Sequence, residues 1–400
     1  MATHGQDIQA VERDHLLQVY KRVPIVLTRG EGSYVFDIDG NAYLDFLSGI
    51  GVASLGHAHP GLAAAISEQA RTLIHTSNLY FHPLQGQVGQ RLASLSGLPR
   101  AFFCNSGTEA VEACLKFARR YWYTGGDRSR TRIVALERSF HGRTLGALST
   151  TWEPGYRAPF EPLLQGVTFV SPTDPAALEA AVGTDVAAII VEPIQGEGGV
   201  WPLSPAFSAA ISAACARTGA LLIADEIQCG LGRTGAPFYS ATLGLRPDLM
   251  ALGKALGAGV PVGAVMMSQA VADAVAPGDH GTTYGGNLLA CRAALVFLDA
   301  LEQGGLARVQ VAGARLDDGL RALASRHPVI TDVRGAGLMC GLEMTEAAAT
   351  QVVSDAVTQR LLVNRTAGRV VRLLPPLNVS DAEIDDALRI LEAVMTGLPA

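Results

Sequence analysis

The chain has 400 residues, of which 48% are hydrophobic, and its 37 acidic and 31 basic residues give a formal net charge of -6. This length and apolar content are enough for a large core and about two domains. The basic residues are scattered and outnumbered, which argues against a nucleic-acid partner, so we expect small-molecule partners. No apolar run approaches the roughly 20 residues of a membrane span, and we expect no membrane contact.

The N-terminus and the cysteines indicate the compartment. Residues 1–14 are polar and lack the apolar core of a signal peptide, so we expect a cytoplasmic protein. The six cysteines are spread along the chain without the spacing of a zinc site. This distribution favours buried, reduced thiols over metal ligands or disulfides, and no metal is predicted.

The first predicted elements are two short strands. Apolar runs at residues 34–36 and 43–44 flank an Asp-Gly-Asn sequence at residues 39–41, which is typical of a hairpin turn. We predict that residues 1–58 form the N-terminal segment of a small domain.

Between residues 59 and 303, helical patterns alternate with short strand-like runs. These runs lie at residues 101–104, 133–136, 186–191, 221–224 and 262–267. The alternation predicts an α/β fold, in which a large domain has a mostly parallel sheet flanked by helices. Residues 304–400 combine helical periodicity with a strand-like run, and we predict that they complete the small α/β domain beside the hairpin.

Polar residues follow several of these strands, where ligands of open α/β sheets bind. Ser106, Gly107 and Thr108 come after the run 101–104, at the start of a predicted helix. Small residues and hydroxyls at a helix N-terminus favour phosphate binding, because the N–H groups and the helix dipole attract negative charge. Plain capping by Ser106 or Thr108 is the alternative.

The loop at residues 139–144 follows the run 133–136. Phe140 is a candidate for stacking on a flat cofactor and Arg143 for binding a carboxylate, with core packing and a surface position as the respective alternatives. His141 is a candidate base, but a ring hydrogen-bonded to backbone is the interpretation we favour. Glu192, after the run 186–191, is either a site carboxylate or a helix cap.

Lys254 and Asp225 form the most informative pair. Lys254 lies among glycines and apolar residues, where burial favours a neutral amine that can form a Schiff base with an aldehyde. Asp225 ends the run 221–224, and an acid there can hold a pyridine nitrogen protonated. Gln228 is placed to meet the ring's phenolic oxygen. Together these residues indicate a pyridoxal phosphate site, and the apolar surroundings disfavour the alternative of a surface ammonium at Lys254.

Six segments, in order, resemble the motifs of the class III, fold-type I pyridoxal phosphate aminotransferases. They are residues 103–109, 139–144, 192–199, 225–235, 253–257 and 280–287. Within that class the chain most resembles the acetylornithine aminotransferases, through further segments near Ser48, Ser77 and Arg372. The resemblance extends from about residue 26 to residue 385.

The resemblance implies a cofactor role for each matching residue. Lys254 would carry pyridoxal 5'-phosphate, Asp225 would bind its ring nitrogen and Gln228 its phenolic oxygen. The implied cofactor-binding residues also include Ser106, Gly107 and Thr108 at the phosphate, Phe140 on the ring, and Glu226 and Ile227 beside Asp225.

The resemblance also implies how substrates and a second subunit take part. Arg143 would hold the substrate α-carboxylate and Thr282 would lie near the substrate. Thr283 would reach the phosphate in the neighbouring subunit, which implies a homodimer with shared active sites. Glu197 would pair with Arg372 and release it for the second carboxylate of 2-oxoglutarate, whereas an ordinary surface or interdomain salt bridge is the alternative.

Two positions depart from the family pattern. Leu288 follows Gly-Gly-Asn where relatives commonly have proline, and Thr282 replaces a frequent serine. The first change removes a fixed φ from the loop, and the second keeps the hydroxyl.

The implied activity is transfer of the δ-amino group of N2-acetylornithine to 2-oxoglutarate, giving N-acetylglutamate 5-semialdehyde and glutamate, in arginine biosynthesis. Related transaminases acting on succinylornithine, ornithine, succinyldiaminopimelate or 4-aminobutyrate are alternatives. Arg143 argues against 4-aminobutyrate, because that compound has no α-carboxylate for the arginine to bind. A glutamate-1-semialdehyde type aminomutase is a further alternative, which would retain its intermediate. The Asp225 and Lys254 pair disfavours a catalytically silent binding protein.

Overall fold

The structure, a computed structural model, describes residues 5–398. Residues 1–4 and 399–400, at the two ends of the predicted small domain, lie outside this part. The strands in chain order are β1 (Leu27–Glu31), β2 (Tyr34–Asp37), β3 (Ala42–Asp45), β4 (Arg100–Cys104), β5 (Arg132–Leu136), β6 (Val167–Val170), β7 (Val186–Val191), β8 (Ile194–Gln195), β9 (Trp201–Pro202), β10 (Leu221–Asp225), β11 (Leu249–Leu252), β12 (Gly263–Met267), β13 (Asp332–Ala336), β14 (Met339–Glu343), β15 (Leu361–Leu362), β16 (Asn364–Thr366) and β17 (Val370–Leu373).

The α-helices are α1 (Gly5–His15), α2 (Ser48–Gly51), α3 (Pro60–Thr72), α4 (Gln85–Ser96), α5 (Gly107–Thr124), α6 (Leu145–Ser149), α7 (Pro154–Arg157), α8 (Pro175–Ala181), α9 (Pro205–Thr218), α10 (Tyr239–Thr242), α11 (Gln269–Asp273), α12 (Leu288–Ala300), α13 (Leu306–Arg326), α14 (Glu346–Thr358) and α15 (Asp381–Thr396). Short 3-10 turns cover Ala158–Phe160 and Lys254–Gly257, and a π turn covers Leu301–Gly305.

The largest sheet has the strand order β4-β12-β11-β10-β7-β5-β6. Its strands run parallel except β12, which is antiparallel to both β11 and β4. Every residue of β7 and β10 is buried, because helices cover both faces of the sheet. On β5, for example, Ile133 packs in the cluster that contains α5, whereas Val134 packs in the cluster that contains α8 and α9. The predicted α/β class with a mostly parallel sheet is therefore confirmed.

Two smaller sheets combine both ends of the chain. The predicted hairpin is confirmed, since β2 pairs antiparallel with β3, and β1 extends it. The C-terminal strand β15 pairs parallel with β3, so the C-terminal segment packs beside the hairpin as predicted. Strands β13, β14, β17 and β16 form the other small sheet. The division of the chain at residues 58 and 303 stays a prediction.

The sheet brings the predicted functional segments to one edge. Strands β4, β5, β7, β10 and β11 share one direction, so their carboxyl ends lie at the same edge. Ligands of such sheets bind there. Within residues 5–398, no helix combines the length and apolarity needed to cross a membrane.

Candidate active site

A cavity of about 260 Å³ lies at this edge of the sheet. The predicted residues that line it are Gly107, Thr108, Phe140, Arg143, Asp225, Ile227, Gln228 and Lys254, and they are joined by His141, Gly142 and Glu192. The fold thus brings together segments that are far apart in the sequence.

One wall of the cavity is the N-terminus of α5. Ser106 caps this helix, because its side chain accepts a hydrogen bond from the Glu109 N–H at 3.3 Å. The first N–H groups of a helix have no partner within the helix, so those of Gly107 and Thr108 are available to an anion. A Cβ on Gly107 would lie 2.9 Å from the Ile227 side chain, which explains why only glycine lets α5 approach the end of β10 so closely. Capping and anion binding are therefore compatible here.

The floor of the cavity is a buried pair of side chains. Asp225 Oδ2 lies 2.7 Å from His141 Nδ1, and Asp225 Oδ1 accepts a hydrogen bond from the Ile227 N–H at 3.1 Å. Our prediction that backbone would hold the His141 ring is therefore wrong. The packing of the sheet brings a carboxylate from 84 residues away to the ring instead. This contact fixes the orientation of the Asp225 carboxylate, whereas the buried His141 Nε2 has no hydrogen-bond partner within residues 5–398.

Glu192 ties two loops of the site together. Its carboxylate accepts hydrogen bonds from the Phe140 N–H at 2.8 Å and the Gly196 N–H at 3.2 Å. Our alternative of a helix cap is wrong, because neither of these N–H groups belongs to a helix. Burial raises the pKa of Glu192 to about 7, and the neighbouring Asp225 carboxylate adds to this increase while His141 opposes it.

Lys254 lies two residues after the end of β11, in the wall of the cavity. Its φ of 42° is uncommon for a residue other than glycine, and such backbone strain often occurs at functional sites. Burial lowers the pKa of the Lys254 amine, although the Glu197 carboxylate opposes the decrease. The surface-ammonium alternative is therefore wrong, and the neutral amine is favoured.

Glu197 and Arg372 form the predicted pair next to Gln228. Arg372 Nη1 lies 2.6 Å from Glu197 Oε1 and 3.0 Å from Gln228 Oε1. The Arg372 side chain is fully buried, so this contact is not a surface salt bridge. Burial by itself raises the pKa of Glu197, but the Arg372 guanidinium outweighs it and lowers the net value. The second terminal nitrogen of Arg372, Nη2, is buried and has no hydrogen-bond partner within residues 5–398.

Phe140 and Arg143 lie at the mouth of the cavity. The Arg143 side chain is exposed, and its Cζ lies 3.5 Å from the centre of the Tyr156 ring and 5.6 Å from that of Phe140. Tyr156 was missed in the sequence, since it lies in a segment with no recognisable motif. Its ring gives the guanidinium a defined position at the entrance.

Other predicted site residues lie outside the cavity. The buried Glu226 carboxylate accepts hydrogen bonds from the Tyr239 and Ser240 N–H groups and so holds α10. Thr282 is bonded through its hydroxyl to Asn105 Nδ2 at 3.1 Å, and Thr283 is exposed. Their cofactor and substrate roles stay predictions.

The departure at Leu288 has little structural effect. Leu288 is the first residue of α12, and the Asn287 side chain caps the helix. Proline is favoured at this first position because its missing N–H is not needed there, and leucine fits equally well.

The donor set of the cavity fits pyridoxal phosphate. The α5 N-terminus offers N–H groups to a phosphate, Asp225 offers a fixed carboxylate to a ring nitrogen, and Lys254 offers an amine with a lowered pKa to an aldehyde. Phe140 adds an aromatic ring at the entrance. Each chemical group of the cofactor thus has a matching partner.

Comparisons with known proteins agree with this geometry. The family described as Aminotransferase class-III matches residues 17–395. The acetylornithine aminotransferase of Gloeobacter violaceus is 44% identical over 394 residues, which cover 98% of this chain and 98% of that protein. The protein of the same name from Methanocaldococcus jannaschii is 44% identical over 389 residues, or 96% of this chain and 97% of that protein. A structure of the ornithine aminotransferase of Toxoplasma gondii, with partial occupancy of PLP at its active site, has a TM-score of 0.94 and 36% identity, and the match covers 98% of this chain and 94% of that chain. The chain belongs to the class-III aminotransferase family.

Proposed function

We propose that this protein is a pyridoxal phosphate-dependent aminotransferase that transfers the δ-amino group of N2-acetylornithine to 2-oxoglutarate. The products are N-acetylglutamate 5-semialdehyde and glutamate, and the step belongs to arginine biosynthesis. The observation that carries the chemistry is the cavity that joins Lys254, Asp225 and the α5 N-terminus. The amino donor is supported by the relatives named acetylornithine aminotransferase, 44% identical over nearly the whole chain.

The cofactor would be held by the residues already described. When bound, pyridoxal phosphate supplies an electron sink for the carbon that loses a proton. Asp225 and Gln228 would bind the ring polar atoms, Phe140 would stack on the ring, and Ser106, Gly107 and Thr108 would bind the phosphate. Ile227 lines the cavity, and Glu226 would act indirectly by holding the end of β10 in place.

Lys254 would move the proton. A neutral amine at Nζ can accept the proton of the carbon that bears the transferred amino group and donate it again to a second carbon. Burial lowers the pKa of Lys254, which increases the neutral fraction near neutral pH.

Arg143 and Arg372 would recognise the two substrates. Arg143, over Tyr156 at the entrance, would bind the α-carboxylate of N2-acetylornithine. With N2-acetylornithine, Glu197 would stay paired with Arg372 and neutralise it. With 2-oxoglutarate, Glu197 would move aside so that Arg372, whose Nη2 lacks a partner, could bind the second carboxylate.

We also propose that the protein is a cytoplasmic homodimer. Leu79, Tyr80 and Phe81 are strongly exposed, and Asn78 ties this segment by hydrogen bonds to the backbone of Thr282 and Gly285. Tyr284 extends this apolar surface. A surface made of several exposed apolar side chains, rather than a single one, is typical of an interface. Burial of this face against a second copy would bring Thr283 of one chain near the phosphate site of the other.

Half-reactions test the proposed donor. We expect the visible absorbance of the holoenzyme to decrease fastest with N2-acetylornithine, compared with N-succinylornithine, ornithine and 4-aminobutyrate. A clear preference for 4-aminobutyrate would contradict the proposal. Transfer to added 2-oxoglutarate excludes an aminomutase, and light scattering after size-exclusion chromatography tests the dimer.

A further inference from the structure

A cavity of about 340 Å³, which we call the basic cavity, lies between the second half of α5 and the loop that leads to β5. It shares no lining residue with the cavity of Lys254. Six of the 31 basic residues of the chain lie within residues 116–132, which contain one acid, so our description of the basic residues as scattered does not hold for this segment. The cations that line the basic cavity are Lys116, Arg119, Arg120, Arg128 and Arg130.

Two acids, Asp127 and Asp279, also line the basic cavity, but they neutralise little of its charge. Asp279 Oδ2 lies 2.6 Å from Arg120 Nε, and the same oxygen accepts a hydrogen bond from the Ala276 N–H at 2.7 Å. Asp127 accepts hydrogen bonds from the N–H and the hydroxyl of Ser129 and has no ion pair within residues 5–398. The other four cations therefore have no carboxylate partner in the part of the chain that the structure describes.

Two of these cations have donors available to a ligand. The guanidinium of Arg128 is exposed, with Cζ 4.4 Å from the centre of the Tyr123 ring, and makes no hydrogen bond within residues 5–398. Arg119 donates Nε and Nη2 to the Thr131 carbonyl at 3.2 and 3.0 Å, which leaves Nη1 for another acceptor. Burial lowers the pKa of Arg119, and an anion in the cavity would oppose this effect.

Arg130 places a buried positive charge behind the cavity. It is only 6% exposed, and its hydrogen bonds go to the carbonyls of Val186 and Thr218 at 2.8 to 3.1 Å. Its Cζ lies 3.6 Å from the centre of the Trp122 ring. These partners are neutral, so they satisfy the N–H groups but leave the charge uncompensated. A buried charge is screened less than an exposed one, and Arg130 would therefore attract an anion in the cavity even without touching it.

The arrangement favours an anion with several charges. Arg120 and Arg128 both lie over the Tyr123 ring, with Cζ 5.4 and 4.4 Å from its centre, so two like charges are held close together. Five cations against two acids leave an excess of three positive charges, whereas the substrates of the proposed reaction carry at most two carboxylates. A chain of phosphate groups supplies enough charge, and its oxygens suit the paired N–H groups of arginine.

We propose that the basic cavity is a second ligand site, distinct from the catalytic cavity, that binds a triphosphate chain either as free oligophosphate or as part of a nucleotide. Its volume lies in the range of small-molecule sites. The expected contacts are the guanidinium of Arg128 and Nη1 of Arg119. The inference does not depend on which amino donor the enzyme uses.

Calorimetry on the holoenzyme, without divalent cations, measures the binding of tripolyphosphate. We expect saturable binding that Arg128→Ala weakens about 10-fold and that Arg119→Gln combined with Arg128→Ala weakens about 100-fold, because each charged contact is lost separately. Arg128→Lys should restore part of the affinity. Arg389→Ala removes the same charge from an exposed position of α15 and, as the control, should leave the affinity unchanged.

A variant with the opposite sign separates lost contacts from misfolding. Asp279→Asn keeps an acceptor for the Ala276 N–H but removes the negative charge that competes for Arg120, so we expect tripolyphosphate to bind about threefold more tightly. Arg128→Ala should transaminate as fast as wild type, because it lies outside the catalytic cavity.

ATP carries the same phosphate chain on a nucleoside and distinguishes the two sources. Equal affinities for ATP and tripolyphosphate indicate a site for free oligophosphate, whereas an affinity for ATP at least about tenfold higher indicates a nucleotide whose base contacts Tyr123. The inference is wrong if neither compound binds saturably to the wild-type holoenzyme. It is also wrong if Arg143→Ala weakens the binding and Arg128→Ala does not, because the anion then lies in the catalytic cavity.

Discussion

The floor of the Lys254 cavity and the exposed face around Thr283 differ in how complete they are within one chain. On the floor, Asp225, His141 and Glu192 are buried and hold one another or neighbouring backbone at 2.7 to 3.2 Å. On the exposed face, Phe81 is fully exposed and Tyr284 is 62% exposed. The floor of the cavity is therefore preorganised by a single chain, whereas in our proposal a second copy completes the face that carries Thr283.

The largest effect is expected from removing the Lys254 amine in the wall of the cavity. Lys254→Ala should lower kcat by about 10⁴-fold or more, because both the covalent attachment and the proton transfer are lost. Steady-state assays and the visible absorbance of the purified protein measure this, with the exposed Lys21→Ala as the control. Activity of Lys254→Ala within tenfold of wild type would remove the basis of the mechanism.

A negative charge placed on the exposed face tests the role of that face separately from the role of the cavity floor. Phe81→Asp is expected to convert the dimer to a monomer and lower activity at least about tenfold, since an aspartate cannot be buried unpaired in an interface. Light scattering and cofactor titration measure the two effects. Val311→Asp, at an exposed position of α13, should leave both unchanged. A Phe81→Asp protein with the wild-type mass and cofactor affinity would show that this face is not the interface.

A milder change sharpens the role of the Glu197 and Arg372 pair. Glu197→Gln removes the charge that neutralises Arg372, so donors with two carboxylates should gain access to it. We expect the rate of the glutamate half-reaction relative to that of N2-acetylornithine to rise about tenfold. Glu153→Gln alters an exposed acid that does not pair with Arg372 and serves as the control. If Glu197→Gln leaves the ratio of the two half-reaction rates unchanged, the contact between Glu197 and Arg372 is only a structural salt bridge.

The smallest effect concerns the pH dependence of the floor. Because burial raises the pKa of Glu192 to about 7 from its ordinary value of 4.5, the folded protein binds this proton more tightly than the unfolded chain. The stability linked to it is complete below about pH 4.5 and is lost as pH rises through about 7. Glu192→Gln mimics the protonated form at every pH. Between pH 5 and pH 8, the unfolding free energy of this variant should therefore decrease by about 1–3 kcal/mol less than that of wild type. Denaturant titrations at both pH values measure it, and an identical pH dependence in the variant would exclude this carboxyl group as the cause.

The sequence by itself determined the class of fold and most of the cavity. Strands β7 and β10 were predictable because strands buried on both faces are continuous apolar runs. Asp225 was predictable because it ends such a run, and Lys254 because it is a lone lysine among glycines and apolar residues. Strand β11 was missed, since its four apolar residues have a pattern that also suits a helix. The antiparallel direction of β12 has no local signal either.

Only the tertiary structure decided which polar groups meet. The partner of His141 lies 84 residues away and that of Arg372 lies 175 residues away, so neither contact leaves a trace in local sequence pattern. Backbone preference and hydrophobic period act over a few residues, whereas hydrogen-bond partners and pKa values depend on packing between distant segments.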